Sequence, residues 1–516
     1  MLGNDFRRWA VWPKVGDRFT AFFRLLIRVP CALLFGGLLL WPQFGLGDGL
    51  PNIVVILADD MGFGEVQHLN PDRGKIATPC LDAIARNGMV FTDGHSGSSV
   101  CTPTRYGLMT GRYAWRTRLQ KGVLTGGESL VAKDRLTLAS MLKKQGYHTA
   151  MIGKWHLGML YDGKKNGQKG IPIGTKVTDG PIDRGGFDLF YGFHHARQMD
   201  ILIKNNEVIE RIDAIEMLPR LTQEAVKYIE GRKGKEQPFF MYVPWNAPHS
   251  PVVPTKEWEG KSGLNRHADF VMQTDDSFGQ VMAALEANGF LENTIVICSS
   301  DNGTSGPTSK IEQLKDLGHF PSGYLRGSKA DIWDGGHRVP FIVHWPKIIE
   351  PESRCEQIVC LTDVFATAAQ LSGFEMTNDC GEDSISFLPL LKGQETLDGR
   401  KNVIHHSVSG RFAIRAGDWK LALCSGSGGW SAPKDRAATG NGNPKWQLYN
   451  LKQDLGEQNN LYEKHSEKAE ELMELLKTQV TNGRSTNGEP LANDVDVEIE
   501  SSEKKNGSKK NRKTPK

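Results

Sequence analysis

The feature that most constrains this chain is an alternation, beginning at Asn52, of short continuous apolar runs with longer amphipathic stretches. The runs at 53–58, 149–152, 239–243, 294–298 and 340–344 are almost wholly apolar and read as strands buried on both faces. Between them, 81–87, 136–145, 225–230, 267–287 and 363–371 carry apolar residues at helical spacing. Buried strands separated by helices predict an α/β fold over 51–375, with a large, mostly parallel sheet flanked by helices on both faces.

After residue 381 the texture changes. Segments 413–415, 419–423 and 446–450 read as antiparallel strands and 467–480 as a helix, so 381–482 is expected to form a smaller α+β domain of antiparallel sheet plus helix. A chain of 516 residues is long enough for two such units. Residues 484–516 show no apolar periodicity and end with Lys504, Lys505, Lys509, Lys510, Arg512, Lys513 and Lys516, as expected of a disordered basic tail. The formal net charge of +3 gives no reason to expect a nucleic-acid partner.

The first 48 residues read as a targeting segment. Arg7, Arg8, Lys14, Arg18, Arg24 and Arg28 precede an apolar stretch at 29–41, and the small residues Gly45 and Gly47 follow. That stretch is short for a membrane span, although an uncleaved signal anchor stays open, and no other stretch reads as transmembrane. The expected destination is outside the cytoplasm, in the periplasm, the medium or at the cell surface. Export permits disulfides, and Cys80, Cys298, Cys355, Cys360, Cys380 and Cys424 fit one or two bridges that spacing does not assign.

Polar clusters follow the predicted strands directly: Asp59-Asp60 after the first, Lys154 and His156 after the second, His249 after the third, Asp301-Asn302 after the fourth. In an open α/β sheet the crevice beyond the strands' carboxyl ends takes ligands, so these clusters should converge. Each has an ordinary structural reading alone, as a cap, a turn, a surface lysine or a packed histidine. Together, three carboxylates and an amide oxygen make a hard oxygen ligand set suited to Ca²⁺ or Mg²⁺ rather than Zn²⁺, and no zinc motif is present. Pro103 fits the first turn of a helix running to Thr110, which places Cys101 at the helix start. Arg105 lies four residues on, on the same face. With Lys154 and Lys329, it gives three cations able to hold a tetrahedral oxyanion.

In this order the motifs resemble the type I, formylglycine-dependent and arylsulfatase-like sulfatases of the alkaline phosphatase superfamily. The resemblance spans 51–461 and rests on NIVVILADDMG at 52–62, CTPTR at 101–105, LMTGR at 108–112, GKWHLG at 153–158, PHSP at 248–251, SDNG at 300–303 and the segment 325–340. RAGDWK at 415–420 and the segment 447–461 look like the family's small domain. The resemblance implies that Cys101 is oxidised to formylglycine (3-oxoalanine) by a maturation enzyme. It further implies that Asp59, Asp60, Asp301 and Asn302 bind Ca²⁺ with an oxygen of the modified residue. The hydrated aldehyde would attack sulfur, giving a covalent sulfo-enzyme intermediate, with Asp301 accepting the proton. Lys154, Lys329 and Arg105 would stabilise the oxygens, His249 would protonate the alcohol, and His156 would take the second proton as sulfate leaves.

The implied substrate is a sulfate ester, on sulfated carbohydrate ahead of a small aryl sulfate. The alternatives are a phosphate or phosphonate ester hydrolase on the same fold and a secreted binding protein without turnover; no inferred catalytic position is lost, which disfavours the second. Asp334 and His337 depart from the family's usual glutamate and aliphatic residue, and Ala196 stands near where some relatives carry a serine. His194, His195 and Arg197 are candidates to line the substrate pocket.

Overall fold

The apolar runs of the sequence become the middle of a ten-stranded sheet. A computed structural model describes residues 49–163, 170–394 and 399–500; the expected signal at 1–48 and the lysine-rich end at 501–516 lie outside the described residues. In chain order the strands are β1 (Asn52–Asp59), β2 (Met89–Phe91), β3 (His148–Lys154), β4 (Leu189–Phe193), β5 (Ile201–Lys204), β6 (Glu207–Arg211), β7 (Phe239–Pro248), β8 (Thr294–Ser300), β9 (Phe341–His344) and β10 (Ser353–Cys355). Across the sheet they run β10-β2-β9-β8-β1-β7-β3-β4-β5-β6. The central five, β8, β1, β7, β3 and β4, are parallel. β9 runs antiparallel to β8, and β5 and β6 close the far edge as an antiparallel hairpin.

β1 shows why the runs lack polar alternation. Ile53, Val55 and Leu57 enter one core while Val54, Ile56 and Ala58 enter the other, so successive side chains are buried on opposite faces. Helices α1 (Pro79–Arg86), α4 (Ala214–Glu230) and α5 (Arg266–Ala287) cover the second face, and α2 (Cys101–Thr110), α3 (Leu138–Lys144) and α6 (Asp363–Ser372) cover the first. The helix expected at 225–230 starts eleven residues earlier, because Met217, Leu218 and Leu221 are buried on the same stripe despite Pro219.

A second sheet holds β11 (Asn402–His406), β12 (Phe412–Ala416), β13 (Trp419–Ala422) and β14 (Gln447–Asn450), antiparallel in that order. Helix α7 (Ser466–Thr481) packs on it through Leu472 and Leu476. From Gly49 onward the chain forms one compact unit, and Trp115 of the first region meets Phe412 of the second edge-on at 5.2 Å.

Two expectations need correction. Residues 484–500 carry no helix or strand, yet they are fastened rather than disordered. Arg112 pairs with Asp494 at 3.0 Å, Arg116 donates to Asn493 Oδ1 at 3.0 Å, and Val497 and Ile499 pack on the small-sheet core. The anticipated bridges are also absent: all seven described cysteines are free thiols. Among the described residues no helix is long and apolar enough to cross a membrane.

Candidate active site

The carboxyl ends of β1, β3, β7 and β8 share one sheet edge, and the residues that close them meet there. Asp60 turns into the left-handed region (φ 69°), which its short side chain tolerates. Its N–H donates to Asp301 Oδ1 at 3.2 Å and the Met61 N–H donates to Ser300 Oγ at 2.9 Å, so the loops after β1 and β8 are knitted together.

Helix α2 delivers the cysteine. Val100 is extended (φ −145°, ψ 157°), so the helix begins abruptly at Cys101, and left-handed Gly111 (φ 64°) ends it. Cys101 Sγ lies 3.7 Å from Asp59 Oδ1 and 3.5 Å from Lys329 Nζ. Arg105, one turn on, donates from Nε and Nη2 to Asp301 Oδ2 at 3.0 and 2.8 Å, and from Nη1 to the Lys154 carbonyl at 3.0 Å. Lys154 Nζ donates to Asp59 Oδ2. Asp60 Oδ1 accepts from Lys329 Nζ at 2.5 Å and from Asn302 Nδ2 at 2.8 Å, while His249 Nε2 stands 3.7 Å from Asp60 Oδ2. Nine of the expected residues therefore share one buried cluster. His156 sits beside it, its Nε2 donating to the Leu124 carbonyl at 2.8 Å and its Nδ1 without a protein partner.

Burial and charge set the protonation here. Burial pushes the Cys101 thiol up to about 12 against the pull of Lys154 and Lys329, so the unmodified side chain is a protonated thiol at neutral pH. Burial and the neighbouring Asp59 raise Asp301 to about 6. Burial would raise Asp59 as well, but Lys154, His249, Arg105 and Lys329 together hold it below the usual carboxylate range. Burial, reinforced by Lys154, keeps His156 well below its ordinary value.

The donor set fits a hard divalent cation. Asp60 Oδ2 and Asn302 Oδ1 are buried oxygens without a hydrogen-bond partner, a costly state for acceptors that a cation would relieve. Ligand atoms of Asp59, Asp60, Cys101 and His249 lie within 4.8 Å of one another.

A model of the Sulfatase family matches residues 51–374, a range that contains all nine residues of this cluster and His156. The chain belongs to the sulfatase family. It is 30% identical over 488 residues to an N-acetylgalactosamine-6-O-sulfatase of Bacteroides thetaiotaomicron, covering 84% of this chain and 93% of that one. It is 28% identical to human steryl-sulfatase, with 75% and 77% covered. Among solved structures, a 6S sulfatase from the Bacteroides thetaiotaomicron locus for glycosaminoglycan metabolism superposes with a TM-score of 0.73 at 28% identity, covering 83% of this chain and 99% of that one. As a sulfatase of the alkaline phosphatase superfamily, the protein is a sulfuric ester hydrolase.

Seen in this sulfatase, the two departures tie the catalytic region to the small sheet. Asp334 accepts from Lys420 Nζ at 2.7 Å, and its own N–H donates to Glu457 Oε2 at 2.7 Å. His337 stacks on His405 with centroids 3.5 Å and planes 12° apart, and its Nδ1 is 3.3 Å from His95 Nδ1. Imidazole lone pairs lie in the ring plane, so the two nearly parallel rings of His337 and His405, 3.5 Å apart, cannot aim at one ion; they are a packing stack, with His95 tilted 35° and 41° against them. His195 lies edge-on to His156 at 4.5 Å, whereas Arg197 is exposed at the rim.

Glu65 belongs to the site although no motif in the sequence singles it out. Its Oε2 accepts from the Gly62 N–H at 2.9 Å and from Thr304 Oγ1 at 2.8 Å, and His267 Nε2 reaches its Oε1 at 2.5 Å. One buried carboxylate thus braces both loops that carry the candidate metal ligands. The only sequence signal was a glutamate close behind Asp59-Asp60.

Proposed function

We propose that this sulfatase removes sulfate from sulfated carbohydrate outside the cytoplasm, using Cys101 after its oxidation to formylglycine by a maturation enzyme. The convergence of Cys101 with three carboxylates and three cations carries this reading. Asp59, Asp60, Asp301 and Asn302 would hold Ca²⁺, which supplies Lewis-acid polarisation and charge neutralisation when bound. The hydrated aldehyde at residue 101 would supply the nucleophile.

The remaining work falls to the chain's own side chains. Arg105, Lys154 and Lys329 are already ordered by Asp301, Asp59 and Asp60, so they meet the sulfate oxygens without reorganising. His249, only partly buried and 3.7 Å from Asp60, would protonate the departing alcohol. His156, buried with an unpartnered Nδ1, would take a proton from residue 101. The N-acetylgalactosamine 6-sulfatase relative makes 6-O-sulfated N-acetylgalactosamine the first substrate to try.

The test uses protein purified from a host that matures the site, assayed on sulfated saccharides and on sulfate and phosphate esters of one alcohol. We expect sulfate release, a higher kcat/KM for the sulfate ester, and a Cys101 peptide lighter by roughly 18 Da. A faster phosphate ester overturns the reading in favour of phosphoryl chemistry. A wholly unmodified peptide in active enzyme removes the proposed nucleophile.

A further inference from the structure

Beside the Lys329 loop the surface sinks into a depression of about 640 Å³, lined by Arg73, Lys315, Tyr324, Arg326, Trp430 and Ser431. That size suits a small ligand rather than a water pocket. Tyr324 is 59% exposed and Trp430 is 44% exposed, and among the described residues they are the two large aromatic side chains left so open. Apolar surface of this kind is costly to leave wet, and its gathering in one hollow marks a contact site.

Both aromatics are held in place. The Arg73 guanidinium lies 3.6 Å from the Phe320 centroid and 4.7 Å from the Tyr324 centroid, and its Nη1 donates to the Gly323 carbonyl at 2.9 Å. Across the hollow, Asp331 Oδ1 accepts from the Trp430 and Ser431 N–H groups at 2.8 and 3.0 Å. The other oxygen of Asp331 accepts from the Ser328 N–H at 2.9 Å. One carboxylate therefore fastens the Trp430 loop to the residue preceding Lys329. Ser328 lines the hollow, while Lys329 reaches Asp60 and lies 3.5 Å from Cys101 Sγ. Ser328 and Lys329, neighbours in the chain, thus serve the hollow and the catalytic cluster respectively.

Sugar rings present flat C–H faces that stack on aromatic rings, with hydroxyls at their edges. A sulfated polymer adds anionic groups at ring spacing, and Arg73 and Arg326 bring positive charge to the same walls, where Lys315 is paired with Glu312 at 2.9 Å. A neutral aryl or steroid substrate needs neither a second aromatic platform nor this charge. Resting on the saccharide reading above, we infer that the hollow is a subsite for a second sugar ring, gripping a sulfated oligosaccharide whose scissile ester lies at Cys101.

The test measures calorimetric affinity of full-length Cys101→Ala protein for 6-O-sulfated N-acetylgalactosamine and for a chondroitin 6-sulfate tetrasaccharide. The tetrasaccharide should bind at least about ten-fold tighter, and Tyr324→Ala or Trp430→Ala should collapse that ratio toward one. Tyr324→Phe, which keeps the ring, should preserve it and so separates stacking from misfolding. Equal affinities for the two probes, or a ratio untouched by both alanine variants, overturns the subsite. Turnover by unsubstituted enzyme is scored separately. If neither probe releases sulfate, the saccharide reading fails, while the affinity ratio still decides whether the hollow holds sugar.

Discussion

Cys101 occupies the one position where a helix start, two lysines and the carboxylate pair meet, yet as a thiol it is poorly suited to attack. Burial pushes it up to about 12 even with Lys154 and Lys329 nearby, leaving almost no thiolate at pH 7. An oxidised residue that brings oxygen nucleophiles fits the place better. Removing the side chain should therefore abolish catalysis without unfolding the chain. Cys101→Ala keeps a good helix former in the first turn of α2 and deletes one buried sulfur whose partners are also held by others. We expect sulfate release to fall by at least about 10³-fold while the melting temperature of the metal-loaded protein stays close to that of the parent. A purified variant with appreciable turnover would put the nucleophile elsewhere.

At the scale of elements, α2 works because it is stopped as sharply as it is started. Gly111 sits at φ 64°, and a Cβ there would come 2.8 Å from Gly381 Cα and 3.0 Å from Ser384 Cβ. Gly111→Ala should cost about 1–3 kcal/mol from the backbone conformation and the clash together, read as a lower urea midpoint. Gly122→Ala, at φ 69° with nothing within 4 Å, isolates the conformational part and should cost less. Equal losses would show that the contact with 381 is unimportant. Elements like α2, marked by Pro103 and closed by Gly111, were readable from sequence because local chemistry fixes both ends. So were the central strands and the clusters that close them, since a strand buried on both faces leaves only its end for polar groups. β11 was not, because Val403 and Ile404 are followed by His405 and His406, and His405 is buried against His337, more than 60 residues away in the chain. The first half of α4 was obscured by Pro219. Glu65 escaped because its meaning lies in Thr304 and His267, hundreds of residues distant.

For the whole molecule, the junction between the two sheets predicts how stability responds to acid. His337 and His405 are stacked there with His95 tilted against them, faced by Asp93, Asp334, Glu457, Arg338, Arg415 and Lys420. Burial, the largest influence on each, lowers all three below the ordinary histidine value; Lys420 adds to the lowering at His337, and Asp93 only partly offsets it at His95. The folded chain thus keeps the rings neutral where the unfolded chain, with histidines near about 6.5, takes up protons. Stability from this source is complete above that value and is lost as pH falls below it, by at most about 1.4 kcal/mol per pH unit for each ring. Urea midpoints of Ca²⁺-saturated enzyme should accordingly drop between pH 7.5 and pH 5. Eight further described histidines are lowered in the same direction, so His405→Phe, which keeps a flat ring against His337 but cannot be protonated, should flatten that slope by roughly a tenth while shifting the neutral-pH midpoint by its own packing cost. A parent midpoint that stays level across the interval, or a variant slope as steep as the parent's, would mean that the stack does not govern acid sensitivity and that the junction is held by its ion pairs alone.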